Sequence, residues 1–306
     1  MGYKKRLTKA FEGAPILPWS ISTQYVFFSD CHRGIGNTND NFLPNSNNYF
    51  SALQYYHQYG FCYIEVGDGD ELWENRKLLQ IIEIHEDVFK LLCNFHQTGR
   101  LYMLIGNHDM QKKNCGPLFR DFPCYEGIIL KPEFPTGNRH FAMEYDISNG
   151  LYITHGHQAD LLNSVFWRLS RFLVRYLWTP LERFGVLDPT SAAKNNIKKE
   201  KLEKKYISYA KEENCLLLTG HTHRPTIGNR QSPYYNCGSC VHPKCITCIE
   251  LCGFQISLVK WYASAQKSEH FGTIYRECPP VYPLYVKREV LATENLLSQA
   301  TTPLFL

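Results

Sequence analysis

Apolar residues along this chain are grouped into short runs that end abruptly at polar residues. Five runs are rich in aromatic and branched side chains, and each is followed within two residues by glycine, aspartate or histidine. They comprise residues 25–28, 61–66, 101–105, 151–154 and 215–219. Runs of this length and composition are typical of buried β-strands. We therefore predict five strands, each followed directly by a polar loop.

The stretch between the second and third runs has a helical pattern. Apolar positions recur at spacings of three and four from Leu78 to Leu92, and Gly99 closes the segment. This spacing predicts a helix within 71–97, whereas the Asn- and Pro-rich residues 37–48 are expected to form a loop. The alternation of strands and helices predicts an α/β fold with a layered core.

Residues 160–213 differ from the rest of the chain in both pattern and charge. An apolar helical face extends over 162–177, and a second, Lys-rich helix is expected at about 192–211. An arginine stripe lies beside the apolar face and consists of Arg168, Arg171 and Arg175. Four Arg and seven Lys against four acidic residues give 161–211 a net charge of +7. We interpret 160–213 as an inserted helical cap.

The C-terminal third of the chain contains further strand-like segments. Residues 246–251 and 254–261 are predicted to pair as a hairpin at Cys252-Gly253. Residues 266–306 contain Pro279-Pro280 and Pro283 and have no strong period, and we expect them to form a peripheral tail. The main domain would then comprise residues 1–265, interrupted by the cap.

Length, composition and charge narrow the class of protein. The 306 residues are 44% hydrophobic and 20% charged, which excludes global disorder. No apolar stretch has the length of a membrane-spanning helix, and no apolar run follows the basic residues 3–6. We therefore expect a cytoplasmic protein whose twelve cysteines are reduced. The net charge of +4 is too small to indicate a nucleic-acid partner by itself.

Polar residues that can bind metal ions follow each of the five predicted strands. The clusters are Asp30-x-His32, Gly67-Asp68-x-x-Glu71, Gly106-Asn107-His108-Asp109, His155-Gly156-His157 and Gly220-His221-Thr222-His223. Each cluster alone is also typical of a capped loop or a surface histidine. Five in a row are expected to converge, because ligands gather at the carboxyl edge of the strands in α/β folds. Carboxylate, amide and imidazole donors suit Mn, Fe or Zn.

These five clusters, in this order, resemble the calcineurin-like metallophosphoesterase superfamily over roughly residues 25–260. The Asn236-x-Gly238-Ser239 motif is similar to a turn that many members carry after the final ligand pair. The resemblance implies a four-layer α/β/β/α sandwich and a phosphoric ester hydrolase that uses two divalent metal ions, with Mn preferred over Fe or Zn. Such ions neutralise the phosphate and activate the attacking water.

The resemblance also implies a role for each residue. The first ion would be held by Asp30, His32, Asp68 and His223. The second would be held by Asp68, Asn107, His155 and His221, with Asp68 bridging the two ions. His108 would protonate or stabilise the leaving alkoxide, and Asp109 would orient the His108 ring.

The longer motifs discriminate among branches of the superfamily. Glu71-Leu72-Trp73 departs from the Gly-Asp-x-x-Asp-Arg-Gly motif of the phosphoprotein phosphatases. The runs 67–73 and 220–225 look more like the UDP-2,3-diacylglucosamine pyrophosphohydrolases, which carry a helical lid over a lipid-bearing substrate. That family commonly has Arg where this chain has His108, so the substrate does not transfer with the chemistry.

Several functions therefore stay open. The leading hypothesis is hydrolysis of a nucleotide-linked or lipid-linked pyrophosphate or phosphoester. The alternatives are a nuclease or cyclic-nucleotide phosphodiesterase, and a non-catalytic scaffold with the same fold. We expect a small-molecule substrate and no stable nucleic-acid partner.

The substrate contacts are also open. Arg33 is a candidate phosphate ligand or, equally, a surface residue that caps a loop. Arg168, Arg171 and Arg175, with the cap's aromatic residues, could hold a diphosphate and an acyl chain. The cap could instead pack on the core with its charges in solvent, or dock on an anionic membrane surface. The cysteines of 237–252 are too closely spaced for a zinc ribbon and are interpreted as buried thiols.

Overall fold

The computed structural model gives the fold of most of the chain. It describes residues 2–37, 39–114, 122–134, 147–178, 195–265 and 284–296. Part of the predicted cap, 179–194, and part of the predicted tail, 266–283 and 297–306, lie outside the described residues.

Twelve strands and seven α-helices are formed within the described ranges. The strands are β1 (Ile16–Trp19), β2 (Gln24–Phe28), β3 (Cys62–Val66), β4 (Leu101–Leu104), β5 (Cys124–Tyr125), β6 (Gly127–Pro132), β7 (Leu151–Thr154), β8 (Leu216–Thr219), β9 (Tyr234–Asn236), β10 (Cys245–Cys252), β11 (Gln255–Ala265) and β12 (Leu284–Asn295). The helices are α1 (Tyr3–Ala10), α2 (Ser46–Gln58), α3 (Leu78–Ile84), α4 (Glu86–Gln97), α5 (Leu161–Ser164), α6 (Trp167–Leu173) and α7 (Asn196–Glu212). Single turns of 3₁₀ helix lie at Leu43–Asn45, Met110–Asn114 and His157–Ala159, and a π-helical turn lies at Val174–Trp178.

The strands form two mixed sheets. The larger has the order β12-β11-β10-β2-β3-β4-β5, in which β2 to β5 are parallel and β10 to β12 are antiparallel to their neighbours. The smaller has the order β1-β6-β7-β8-β9, in which only the β6–β7 pair is antiparallel. Both sheets thus contain parallel and antiparallel pairs of strands.

Most of the central strands are buried on both faces. In β8, Leu216 and Leu218 pack between the two sheets, whereas Leu217 packs on the opposite face against α7. A strand that is buried on both faces carries apolar residues at successive positions, which explains the apolar runs in the sequence. The five predicted strands and the predicted hairpin are confirmed as β2, β3, β4, β7, β8 and the β10–β11 pair.

Helices cover the outer face of each sheet. On the larger sheet, Leu53 of α2 and Phe89 of α4 join a core with Phe28 of β2. On the smaller sheet, Leu7 of α1 and Tyr206 of α7 pack together. The resulting order is helix, sheet, sheet, helix, so the predicted four-layer α/β/β/α fold is confirmed. Within the described residues, no helix is long and apolar enough to cross a membrane.

Three boundaries differ from the sequence predictions. The helix expected within 71–97 starts at Leu78 and is divided at His85, because 71–77 form a turn around the Glu71 side chain. The loop expected at 37–48 ends where α2 begins at Ser46. In the predicted tail, 284–295 pairs with β11, so this stretch belongs to the larger sheet.

The predicted cap divides into two parts. Residues 161–178 form α5, α6 and the π-helical turn in place of one continuous helix. The second predicted helix is α7, whose Leu202, Tyr206 and Ala210 are buried against the smaller sheet. Helix α7 therefore belongs to the outer layer of the sandwich, and the name cap is kept below for 161–178.

Candidate metal centre

The loops after five strands meet at one edge of the sandwich. Backbone hydrogen bonds join the loop after β2 to the loop after β3: Asp30 N donates to Gly67 O (3.1 Å) and His32 N donates to Asp68 O (2.9 Å). The loop after β8 joins them, because His221 N donates to Asp30 Oδ2 (2.9 Å). Residues that are far apart in the sequence are thereby fixed beside one another.

The backbone at this edge adopts a conformation that side-chain-bearing residues rarely take. Seven non-glycine residues of the described chain have positive φ, and five of them lie here. They are Asp30 (52°), His32 (50°), Asp68 (50°), His221 (67°) and His223 (54°). Such strain persists only where the surrounding structure imposes it, and it concentrates at functional sites.

Two glycines allow the loops to approach one another. Gly67 has φ of 82°, and a Cβ at this position would lie 2.7 Å from the His155 ring. A Cβ on Gly106 would collide with the carboxylate of Asp68. Only glycine fits at both positions, because any side chain would displace a residue of the site.

One group of donors consists of Asp30, His32 and His223, whose ligand atoms lie within 4.8 Å of one another. The Nε2 atoms of His32 and His223 face each other at 3.4 Å, and His223 Nε2 lies 3.0 Å from Asp30 Oδ1. Asp30 is fully buried, and its Oδ1 atom lies 3.8 Å from His32 Nε2 as well. Three donor atoms that point at one another in this way could hold a cation.

A second group consists of Asp68, His155 and His221. His155 Nε2 lies 3.2 Å from Asp68 Oδ2 and 3.2 Å from Asn107 Oδ1. The other ring nitrogen, Nδ1, donates to the carbonyl of Val66 (2.8 Å), which leaves Nε2 free of a proton in the neutral ring. Asn107 thus joins this group through its amide oxygen.

Glu71 connects a third pair of imidazoles, those of His32 and His108. Its carboxylate lies 2.8 Å from His32 Nδ1 and 2.8 Å from His108 Nδ1. The ring of Trp73 stacks on the His108 ring, with centroids 4.1 Å apart. Glu71 therefore fixes the orientation of both imidazoles and leaves their Nε2 atoms to face the site. In the sequence, Glu71 is part of a motif to which no role was assigned.

The position of Asp109 corrects one predicted role. Its carboxylate accepts hydrogen bonds from Gly106 N (2.6 Å) and Gly69 N (3.0 Å) and pairs with Lys112 (2.8 Å). Asp109 thus ties together the loops after β3 and β4, while Glu71 orients His108 in its place.

Arg33 was a candidate phosphate ligand, and its position contradicts that role. Its side chain is fully buried, donates to Glu65 (2.8 and 3.0 Å) and Asp70 (2.7 Å), and thus points away from solvent. A buried guanidinium that is paired with two carboxylates has no donor to offer to a substrate. The sequence could not reveal these partners, because Glu65 lies 32 positions away.

The cap arginines lie in two different environments. Arg175 Nε donates to Trp73 O (2.6 Å) and its Nη2 donates to Leu72 O (2.8 Å), so it binds protein where a substrate contact was predicted. Arg168 and Arg171 both lie over the ring of Trp167, at 5.5 and 5.2 Å. These two are on the surface of the cap, and their predicted substrate contacts stay predictions.

Asp160 is a residue of the site that the sequence analysis missed. It is buried, its Oδ2 lies 3.5 Å from His221 Nε2, and Lys198 Nζ lies 2.7 Å from the same oxygen. It also accepts from Leu162 N and so caps α5. An aspartate directly before an apolar helical stretch was the available signal.

The Asn236-x-Gly238-Ser239 motif stabilises the loop that follows β8. Asn236 Nδ2 donates to Gly220 O (2.7 Å) and its Oδ1 accepts from Gly238 N (2.8 Å). This side chain holds the turn on which His221 and His223 are carried.

Burial and mutual contacts set the charges of the site. Burial raises the pKa of Asp30, but His223 and His32 hold the pKa well below its ordinary value. Asp68 has a lowered pKa for the same reason, with His155 and His108 outweighing burial. Burial lowers the pKa of His155, yet Asp68 raises it to about 9. The carboxylates are therefore anionic, and a proton and a cation compete for the same imidazole.

The pKa values of the other imidazoles shift in opposite directions, depending on the groups that surround each ring. Burial lowers the pKa of both His221 and His223, so these rings are neutral and can donate a lone pair. The pKa of His108 is raised, because Glu71 and Asp68 outweigh the effect of burial. The shifts thus favour neutral nitrogen donors at His221 and His223 and the protonated form at His108.

The thiols of 237–252 do not belong to these donor groups, although Cys240 N donates to Asp30 O (3.2 Å). Cys237, Cys240 and Cys248 are fully buried, and burial raises the pKa of each thiol well above its ordinary value. Cys245 and Cys252 are half-buried on β10. In the described ranges, the groups that could hold an ion contain histidine, aspartate and glutamate.

Comparison with known proteins identifies no family for this chain. No protein-family model and no curated protein matches the chain. Two similar solved structures are Vacuolar Protein Sorting 29 from Cryptosporidium parvum (12% identity, TM-score 0.40) and Vps29 from Chaetomium thermophilum (10% identity, TM-score 0.41). Each alignment covers 90% of this chain and 99% of the other. Similarity at this level says nothing about activity.

Proposed function

We propose that the chain is a metal-dependent phosphoric ester hydrolase that holds two divalent cations, with Mn²⁺ the best suited. The observation that supports this proposal is the convergence of two groups of buried donors, Asp30, His32 and His223 beside Asp68, His155 and His221. The oxygen and nitrogen donors suit Mn, Fe or Zn. When bound, the cations would neutralise the phosphate and activate the attacking water.

Asp68 is the residue suited to serve both cations. Its Oδ2 lies 3.2 Å from His155 Nε2 in one group and 3.9 Å from His32 Nε2 in the other. Its Oδ1 accepts from His108 N (2.8 Å), which fixes the plane of the carboxylate. Asn107 adds an amide oxygen to the second group. The resemblance implies the same ligand set, which we propose for the two cations.

His108 is suited to protonate the leaving oxygen. Its Nδ1 is bonded to Glu71, so Nε2 is the ring atom that can exchange a proton with substrate. The raised pKa of His108, caused by Glu71 and Asp68 against burial, favours the protonated form that an acid requires. The stacked Trp73 ring restricts rotation of the imidazole.

The cap supports a substrate with an apolar part. Eight apolar side chains of 161–177 are each between 42% and 56% exposed. They are Leu161, Leu162, Val165, Phe166, Leu169, Phe172, Tyr176 and Leu177. Arg168 and Arg171 lie beside them and could bind phosphate oxygens. We therefore propose a nucleotide-linked or lipid-linked pyrophosphate or phosphoester as substrate, with the cap contacting the inner face of a membrane in a cytoplasmic protein.

A hydrolysis panel with added Mn²⁺ tests the reaction class. It compares a phosphomonoester, a phosphodiester, a UDP-sugar pyrophosphate and single-stranded DNA. We expect Mn²⁺-dependent hydrolysis that Asp68→Asn lowers at least about 10³-fold, because the bridging carboxylate is lost. The matched control is Asp87→Asn, an exposed aspartate at the start of α4, which should retain activity.

The same panel separates the alternatives. Stoichiometric metal without hydrolysis of any substrate would overturn the proposal in favour of a scaffold. Preference for DNA, with a rate that falls steeply with salt, would favour a nuclease.

A further inference from the structure

The cap is attached to the loop that follows Asp68. Arg175, in the π-helical turn, donates to the backbone carbonyls of Trp73 (2.6 Å), Leu72 (2.8 Å) and Asn75 (3.4 Å). A second contact joins the same two segments, since Arg76 donates to the hydroxyl of Tyr176 (3.2 Å). One guanidinium therefore binds three successive parts of a single turn.

That turn is the one that orients His108. Glu71 Oε1 accepts from Trp73 N (3.1 Å) and Glu74 N (3.3 Å), so the carboxylate is anchored to the turn as well as to the imidazole. Trp73 is 3% exposed, and its ring lies nearly parallel to that of His108, at 19°. Any movement of the turn would displace both groups that hold the imidazole.

The chemistry of arginine fits this task. A guanidinium presents several donors in a rigid plane, so it can fix carbonyls that point in different directions, whereas lysine offers a single ammonium. The turn also carries its own bond from Asn75 Nδ2 to Glu71 O (2.9 Å), which closes the 71–75 segment on itself. Arg175 holds this closed segment from outside and comes from the cap.

We propose that Arg175 is a positioning residue that couples the cap to the general acid. By holding the carbonyls of 72–75 it keeps Trp73 and Glu71 seated against His108, so protonation of the leaving group depends on the cap being in place. This role rests on the proposed function, because it requires His108 to act on a leaving oxygen.

Leaving-group dependence tests the role directly. The p-nitrophenyl, phenyl and methyl esters of phosphate and of methyl phosphate form series in which the need for protonation increases. For Arg175→Gln we expect kcat to fall about 30-fold on the methyl ester, since general acid catalysis contributes about 10²- to 10⁴-fold. On the p-nitrophenyl ester, whose leaving group needs no proton, kcat should fall less than about threefold. KM and metal content should stay near those of the parent chain.

The matched control is Arg100→Gln. Arg100 also donates to backbone carbonyls, those of His57 (3.3 Å) and Phe61 (3.1 Å), but it precedes β4 and so lies at the opposite end of that strand from His108. It therefore reports the general cost of losing such bonds. Arg175→Lys should show an intermediate loss on the methyl ester, which keeps the test usable if the glutamine variant folds poorly.

The outcomes separate the two proposals. Equal losses on all esters, or a profile for Arg175→Gln that matches Arg100→Gln, would overturn the positioning role alone. Absence of hydrolysis by the parent chain would refute the proposed function and this role with it. A loss confined to poor leaving groups supports both.

Discussion

Two buried clusters of charged residues lie side by side in this protein, and they are built on opposite principles. The paired network comprises Arg33, Glu65, Asp70, Asp109 and Lys112. The ligand cluster comprises Asp30, His32, Asp68, His155, His221 and His223. In the paired network every charge has an opposite charge at 2.7 or 2.8 Å. In the ligand cluster, by contrast, the Nε2 atoms of two imidazoles face each other at 3.4 Å, and both also lie within 3.8 Å of Asp30 Oδ1.

The same loops supply both clusters. His32 and Arg33 are adjacent, and Asp68 and Asp70 are two positions apart, so neighbouring side chains enter different clusters. The paired network is complete within the chain and fixes the loops, whereas the ligand cluster would be completed by a cation. This comparison separates residues that hold the fold from residues that hold a ligand.

The largest expected effect concerns the paired network. Arg33→Met removes the partner of two buried carboxylates, and breaking a buried ion pair typically costs about 3–5 kcal/mol. We expect a loss of this size in the free energy of unfolding, measured with urea in a metal chelator. Arg224→Met removes only the 51%-exposed partner of Glu203, and should cost less than about 1 kcal/mol. Equal losses in the two variants would show that the paired network contributes no more to stability than a surface ion pair.

The ligand cluster should contribute to stability only with metal. At a Mn²⁺ concentration of about 100 Kd, the free energy of unfolding should rise by about 2.7 kcal/mol. Asp68→Asn should lose most of this increase, and the exposed control Asp87→Asn should keep it. Chemical denaturation with and without Mn²⁺ measures both. An undiminished increase in Asp68→Asn would place the ion elsewhere.

Glu71 links the ligand cluster to His108, and its charge is expected to matter for turnover. In Glu71→Gln the amide oxygen can accept from one imidazole Nδ1–H, while the amide NH₂ faces the other. We expect kcat to fall about 30-fold, or about 2 kcal/mol, on esters with poor leaving groups. Glu83→Gln, on the exposed side of α3, serves as the control. Turnover within twofold of the parent would contradict the assigned orientation.

Asp40 is an intermediate case, since its partners are backbone N–H groups and one histidine. It accepts from Gly36 N (2.9 Å) and Leu43 N (3.1 Å) and lies 3.6 Å from His85 Nε2. Burial raises its pKa, but His85 and the N–H groups lower it overall.

A carboxylate with a lowered folded-state pKa stabilises the protein above the unfolded value of about 3.9, and this contribution is lost as pH falls through the folded-state pKa. Asp40→Asn should therefore cost about 1 kcal/mol at pH 7 and less at pH 3. Urea denaturation at the two values measures the difference, and a constant cost would rule out the charge as its source.

The strands that could be predicted from the sequence are those whose burial on both faces requires a run of apolar residues. Strand β8 is covered on both faces, and its residues Leu216 to Leu218 form an uninterrupted apolar run. Strand β1 was missed because it alternates, with Ile16 63% exposed and Leu17 buried, and because Pro18 interrupts it. Strand β12 was missed because it is an edge strand in which half of the residues are polar, without strict alternation.

The site was predictable as a set of positions and less so as a set of partners. Asp30, Asp68 and His221 each follow a strand, and fold topology brings strand ends together. The choice between Glu71 and Asp109 as the partner of His108 depends on distances of a few ångströms, which residue type does not encode. The pairing of Arg33 with Glu65 was hidden for the same reason.

The glycines at 67 and 106 have a practical consequence for anyone who diversifies this chain. A methyl group at either position would meet the His155 ring or the Asp68 carboxylate. Active clones selected from a random mutagenesis library should therefore keep glycine at both positions, even where neighbouring loop positions vary freely. Deep sequencing of a selected library would thus outline the centre without any measurement of metal.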